Sequence, residues 1–232
     1  MACSSRFLIS HQAYKGFSYS KVHAELDVSR RTRVLNRNYR TTSEIVSAAH
    51  EIIDTTVGDK ETLIQNCIIY GPKPILFIAQ DEEEHIEVIV RFIRQESRLL
   101  KLPTGSGAIL CPSNNLAEKV ASQCLSKGLP ARFMKGNELK LEIPEVKVIT
   151  IHSAKGLEFP IVIVPFVDQG ELPNPVPENS SDDLEEYLNA QRRLFFVAAT
   201  RAMRRLMVTT TAQIQSPFTL SLTEKFWDVQ RA

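Results

Sequence analysis

VKVITIHSAKGLEFPIVIVP, residues 146–165, decides the fold. Two apolar β-rich runs, Val146–Ile151 and Ile161–Val164, bracket a polar loop that holds Thr150, His152, Ser153, Lys155, Gly156 and Glu158. Runs without polar alternation belong to strands buried on both faces, as in a parallel sheet. A loop so rich in donors and acceptors between two such strands is costly unless it binds something.

Working outward, similar runs occur at Ile75–Ala79, Ala108–Cys111 and Leu206–Thr210. Between them lie segments of helical period, Thr42–Asp54, Glu82–Leu100, Asn115–Lys127 and Asp183–Ala199. Asp81 and Asn114 stand at N-cap positions, and Gly128 follows the third helix as a C-terminal glycine does. Strands alternating with helices predict an α/β, three-layer domain with a mostly parallel sheet and ligands at the carboxyl ends of its strands.

Composition agrees with a folded domain and points to no single partner. The 232 residues are 43% apolar and 24% charged with a net charge of +1, so no whole-molecule field draws in nucleic acid or membrane. Charge is nevertheless local. Residues 1–40 hold eight basic groups and two acids, a region able to meet phosphate, whereas 178–186 hold five acids and no base. The longest apolar run, Phe159 to Val167, has nine residues including Pro160 and Pro165, short of the ~20 that cross a bilayer. No secretory signal opens the chain, so an intracellular, cytoplasmic and nucleoid-associated protein without a membrane partner is expected. Cys3, Cys67, Cys111 and Cys124 lack metal or disulfide spacing and are expected to be reduced thiols.

Several chemistries are excluded. PTGSGA at 103–108 has no lysine with Ser/Thr after it, so no Walker A is present. QDEEEH at 80–85 starts a helix, where acids meet the dipole, and is not expected to hold a metal. His50–Glu51 lacks the second histidine of a zincin, and G-x-S-x-G is missing. Three segments stand out: LNRNYRTTSEIVSAAHEII (35–53), the 146–165 stretch, and EEYLNAQRRLFFVAATRAMRRLMVT (185–209). Taken singly, Arg40 reads as a solvated arginine before a helix, Tyr39 as a boundary aromatic and His152 as a hydrogen-bonded loop histidine. Arg192 and Arg193 read as helix-face charges, and Phe195, Phe196 and Val197 as core.

Taken together and in order, NYR, TIHSAKGLEF and QRRLFFVAATRA resemble the fourth, fifth and sixth motifs of UvrD/Rep-like superfamily 1 DNA helicases. HQAYKGFSY (11–19) resembles an eroded third motif, one residue short and without its leading acid. The resemblance implies a RecA-like, P-loop NTPase-type domain lacking its own P-loop, the second of two that clasp ATP and Mg. It also implies residue roles. Arg40 and Arg201 match catalytic arginine fingers for the γ-phosphate, Tyr39 the aromatic packed on adenine, and Gly156 and Glu158 contacts to ribose and phosphates. Gln12 matches the γ-phosphate sensor, Thr150 and His152 touch the single-stranded DNA backbone, and Lys155 serves either ligand.

The implied layout is a truncated remnant at 1–30, the helicase domain at 31–215 and a C-terminal tail at 216–232. Residues 1–30 are expected to be poorly ordered or repacked. Only 35 residues separate Asn114 from Thr150, so the large accessory subdomain of the family is absent or minimal. Without Walker A and Walker B the chain is expected to be inactive alone. Its expected partners are single-stranded DNA and a P-loop-containing first RecA-like domain in cis or trans. The other reading is a standalone, non-catalytic module that binds nucleic acid or a protein partner.

Overall fold

In a computed structural model of the chain, residues 38–53, 67–136, 140, 142–175 and 184–232 are described. The elements run α1 (Ser43–Ile52), β1 (Ile75–Ala79), α2 (Glu82–Leu100), β2 (Gly107–Cys111), α3 (Asn114–Ser126), β3 (Ala131–Phe133), β4 (Val146–Thr150), β5 (Phe159–Val164), α4 (Leu184–Ala199), β6 (Ala202–Thr211), α5 (Pro217–Leu220) and β7 (Asp228–Arg231). Gln12 and the 1–30 region lie outside the described residues.

The strands form one seven-stranded sheet in the order β3-β4-β2-β5-β6-β1-β7, and every adjacent pair is parallel. Parallel strands need a crossover between them, and α2, α3 and α4 supply those that follow β1, β2 and β5. Ile45 and Ile52 of α1 join Leu194 and Phe195 of α4 in one core. Ile86, Ile89 and Ile93 of α2 join Val120 and Cys124 of α3 in the other. Each fully buried side chain of this size contributes about 1.5–3 kcal/mol. This is the three-layer α/β fold that the apolar runs predict. Among the described residues, no helix is long and apolar enough to cross a membrane.

Local chemistry explains the boundaries. Asp81 caps α2 by accepting from Glu84 N, and Glu82, Glu83 and Glu84 lie at the positive end of the helix dipole. Residues 86, 89, 90 and 93 then face inward at helical spacing. Lys147, buried in β4, donates from Nζ to the carbonyls of Gly105 (2.5 Å) and Ile143 (2.9 Å), so its ammonium is satisfied although burial lowers its pKa.

Two details differ from the sequence expectation. Ser113, not Asn114, caps α3 by accepting from Leu116 N; either residue can cap, and the chain turns one residue earlier. Residues 216–232 are not a tail. Trp227 is 1% exposed in the α1–α4 core, and β7 pairs in parallel with β1 to end the sheet. DVQR is too polar to read as a strand, because an edge strand buries little.

A closed polar network sits at the carboxyl ends of β5 and β6. Asp168 accepts from Thr210 Oγ1 (2.8 Å), Thr211 N (2.7 Å) and Thr211 Oγ1 (2.7 Å). Because Thr211 Oγ1 donates to Asp168, it accepts from His85 Nε2 (3.0 Å), which assigns the Nε2–H tautomer. Thr209 Oγ1 then donates to His85 Nδ1 (2.8 Å) and accepts from Phe166 N (3.2 Å). The imidazole also stacks on Phe166, with centroids 4.1 Å apart.

Candidate functional site

Three of the expected residues converge at the amino ends of β5 and β6. Arg40 Nη1 and Glu158 Oε1 form an ion pair at 2.7 Å, with both side chains partly exposed. Arg201 stands beside them and is linked to Glu158 through the chain, since Phe159 N donates to Arg201 O (3.0 Å). The arrangement follows from topology. Arg201 closes α4 and leads into β6, Glu158 leads into β5, and Arg40 leads into α1. Ligands were expected at the carboxyl ends of the strands, whereas these three residues lie at the amino ends of β5 and β6.

Arg40 is placed by its backbone. Asn38 Oδ1 accepts from Arg40 N (2.9 Å) and Thr41 N (3.3 Å), an Asx turn that bends the chain before Thr42 caps α1. Arg204 Nη1 donates to the Arg40 carbonyl (3.4 Å) from the start of β6. The backbone is thus held while the guanidinium remains partly in solvent.

Arg201 is arranged differently. It is 9% exposed, and its guanidinium donates from Nε to Val197 O (3.1 Å) and from Nη1 to Leu157 O (3.3 Å). These are carbonyls near the end of α4 and of the 151–158 loop, where a cation is favoured. Burial lowers the Arg201 pKa, with Glu158 opposing that effect and Arg40 adding to it. Its charge is therefore concentrated in a low-dielectric setting next to a partly exposed one.

The 151–158 loop joins this end to the other. Thr150 lies three residues beyond Lys147, and Phe159 three before Val162, while Lys147 and Val162 both pair with Ala108. The loop therefore connects levels roughly 20 Å apart along the strands. At the upper end Thr150 Oγ1 and Ser153 Oγ share a hydrogen bond (2.9 Å), and Ser153 N donates to Thr150 Oγ1 (3.2 Å). That turn leaves His152 and Lys155 exposed and commits the Thr150 hydroxyl within the loop. Gly156 has φ +86°, in the left-handed region that a side chain disfavours. Tyr39 is 63% exposed beside Arg40 in sequence, a flat apolar face presented to solvent.

The structure thus brings Arg40, Glu158 and Arg201 together and sets Thr150, His152 and Lys155 at the far end of one loop. Sequence reasoning missed Asn38 and Arg204, and named Ser153 only among the polar groups of the loop. An Asn two residues before an arginine is a local turn signal, and a Thr-x-x-Ser pattern is another. Arg204 offers no such signal, because its partner is 164 residues away.

A family model described as the UvrD-like helicase C-terminal domain matches residues 33–141 and 134–213. The chain belongs to this family. Those ranges include every candidate residue except Gln12. The UvrD-like domain is 39% identical over 71 residues to a probable DNA helicase II homolog of Mycoplasma genitalium, covering 31% of this chain and 10% of that protein. It is 31% identical over 122 residues to the ATP-dependent DNA helicase srs2 of Schizosaccharomyces pombe, covering 52% and 13%. Against DNA helicase II of Escherichia coli it is 42% identical over 64 residues, covering 28% and 8%. The chain thus spans a small fraction of the length of these relatives. In fold it is similar to the C-terminal domain of a possible DNA helicase from Lactobacillus plantarum, with a TM-score of 0.60 at 21% identity, covering 83% of this chain and 98% of that one. The domain is a RecA-like, C-terminal domain of the UvrD/Rep superfamily 1 type.

Proposed function

We propose that this domain is the second half of an ATP-driven DNA motor and completes its nucleotide site with Arg40 and Arg201. The observation that carries the reading is the meeting of Arg40, Glu158 and Arg201 on one edge, a partly exposed guanidinium beside a buried one. A planar guanidinium holds two phosphate oxygens and offsets charge that builds up as the terminal phosphoryl leaves. Arg40, held only by a partly exposed ion pair, exchanges Glu158 for a phosphate with little loss. Arg201 acts from its carbonyl cradle as a fixed positive charge or moves out of it. Tyr39 offers its face to the base, and Glu158, once released, is free for a ribose hydroxyl.

The P-loop belongs to a first RecA-like domain supplied in cis or trans. The magnesium ion that accompanies ATP is assigned to that domain, since Glu158 stands here beside two guanidiniums and, among the described residues, no three metal-ligating side chains gather. Bound in that domain, magnesium would supply positive charge against the phosphates. At the other end of the 151–158 loop, the Thr150–Ser153 turn presents His152 and Lys155 to a single-stranded DNA backbone. One loop with Glu158 at its base and His152 near its top carries nucleotide state to DNA.

Two measurements test this. The chain alone is expected to hydrolyse no ATP, with or without DNA. Joined to its first domain it is expected to show DNA-stimulated turnover, and Arg201→Ala is expected to lower kcat about a thousandfold or more while the fold persists by circular dichroism. Unchanged turnover would remove Arg201 from the catalytic set.

A further inference from the structure

Helix α2 turns its apolar stripe to the sheet and a basic stripe to solvent. Arg91, Arg94 and Arg98 fall at i, i+3 and i+7, within about 60° around the helix and over roughly 10 Å along it. With Lys127 they line a groove of about 790 Å³, in which Glu87 is the single carboxylate. Arg94 is anchored, donating from Nη2 to Gly128 O (2.7 Å), and Lys127 is paired with Glu83 (2.6 Å) and Glu87 (2.9 Å). Arg91 and Arg98 are exposed, and among the described residues neither forms an ion pair. The helix dipole accounts for a cation in the last turn, where Arg98 lies, but not for Arg91 and Arg94 farther in.

We propose that the outer face of α2 is a second DNA contact, in which Arg91, Arg94 and Arg98 grip successive phosphates of the phosphodiester backbone. The inference rests on the reading of this domain as part of a DNA motor. Three forked donors on a rigid helix, one braced and two free, suit a chain of phosphates that each accept two hydrogen bonds. Leu99, 62% exposed at the rim of the groove, adds an apolar surface for a sugar or base. This face is distinct from the loop site. The C-terminal end of α2 lies near the amino end of β2, whereas Thr150 ends β4 at the other edge of the sheet, and α2 packs on the sheet face opposite α1 and α4.

The experiment is fluorescence anisotropy of the full 232-residue chain with a labelled duplex bearing a single-stranded tail, across a salt series. Arg91→Ala with Arg98→Ala is compared with His152→Ala with Lys155→Ala, and polyglutamate serves as a control anion. The α2 pair is expected to weaken binding roughly tenfold at low salt and to lower the slope of log K against log salt by about two, with an unchanged thermal melt. If the α2 pair leaves affinity and slope unchanged while the loop pair weakens binding, the second contact is overturned and the loop reading stands. If the α2 pair weakens binding and the loop pair does not, the second contact stands and the loop reading falls. Absence of DNA binding by the parent chain at low salt overturns both. Loss of polyglutamate binding in the α2 pair with DNA binding intact also overturns the proposal, leaving a surface for an acidic peptide.

Discussion

β5 and β6 carry a polar cluster at each end, and the two are built in opposite ways. At the amino ends Arg40 and Glu158 make a half-exposed ion pair beside Arg201. At the carboxyl ends His85 and Asp168, with Thr209 and Thr210, are buried and Thr211 is partly so, and each is held by hydrogen bonds within the cluster. An exposed ion pair contributes about 0–1 kcal/mol, so it yields when a better anion arrives. A mostly buried network has no such exit, since breaking it leaves donors that water reaches poorly. Both clusters contain charged groups, but only the first is arranged to let them go.

The sharpest way to break the comparison is to remove one acceptor from the closed end. Asp168→Ala leaves Thr211 N and Thr211 Oγ1 without their acceptor, while Thr210 Oγ1 keeps Val167 O (2.9 Å), and is expected to cost on the order of 2–4 kcal/mol in urea denaturation. A loss under 1 kcal/mol would show that the carboxyl end is no more committed than the amino end.

Acid sharpens the same contrast. Burial pushes the His85 imidazole from 6.5 down to about 4, against the pull of Asp168, Glu84, Glu82 and Asp81. The folded pKa lies below the unfolded one, so the stabilisation is fully present above about pH 6.5 and is lost as pH falls from there toward 4, where the unfolded chain takes up the proton first. The loss is expected to total roughly 3 kcal/mol. Protonating Nδ1 also removes the acceptor that Thr209 uses. Stability measured from pH 7 to 4 should flatten in His85→Gln, and an unaltered slope would place the acid sensitivity elsewhere.

The smallest effect is expected at the amino end. Glu158→Gln breaks the pair with Arg40 but leaves both groups in reach of water, so stability should change by less than about 1 kcal/mol. In the joined motor the same variant should change nucleotide affinity while the melt stays fixed. A large stability loss would make the pair structural.

Much of the fold was legible because burial leaves a pattern in composition. Ile75–Ala79 and Glu82–Leu100 were read with their observed limits, as an unbroken apolar run and an amphipathic segment behind an Asp cap. Ala131–Phe133 and Asp228–Arg231 escaped, because short edge strands bury few side chains and carry no run to notice. At the candidate site the residue types were legible from three ordered motifs, yet their pairing was not. Nothing local says that Arg40 meets Glu158, or that Arg204 holds the Arg40 carbonyl. His85 was passed over as part of an acidic helix start, although its ring is fully buried.

The sequence by itself determined the α/β alternation, the family and the residues able to meet phosphate, because periodicity, caps and motif chemistry are properties of neighbouring residues. The tertiary structure alone decided that Arg40, Glu158 and Arg201 share the amino edge, that Arg201 is cradled while Arg40 is presented, and that His85 is enclosed by threonines. Those outcomes depend on which strands lie side by side and on what each side chain then excludes from water, which no stretch of chain encodes on its own.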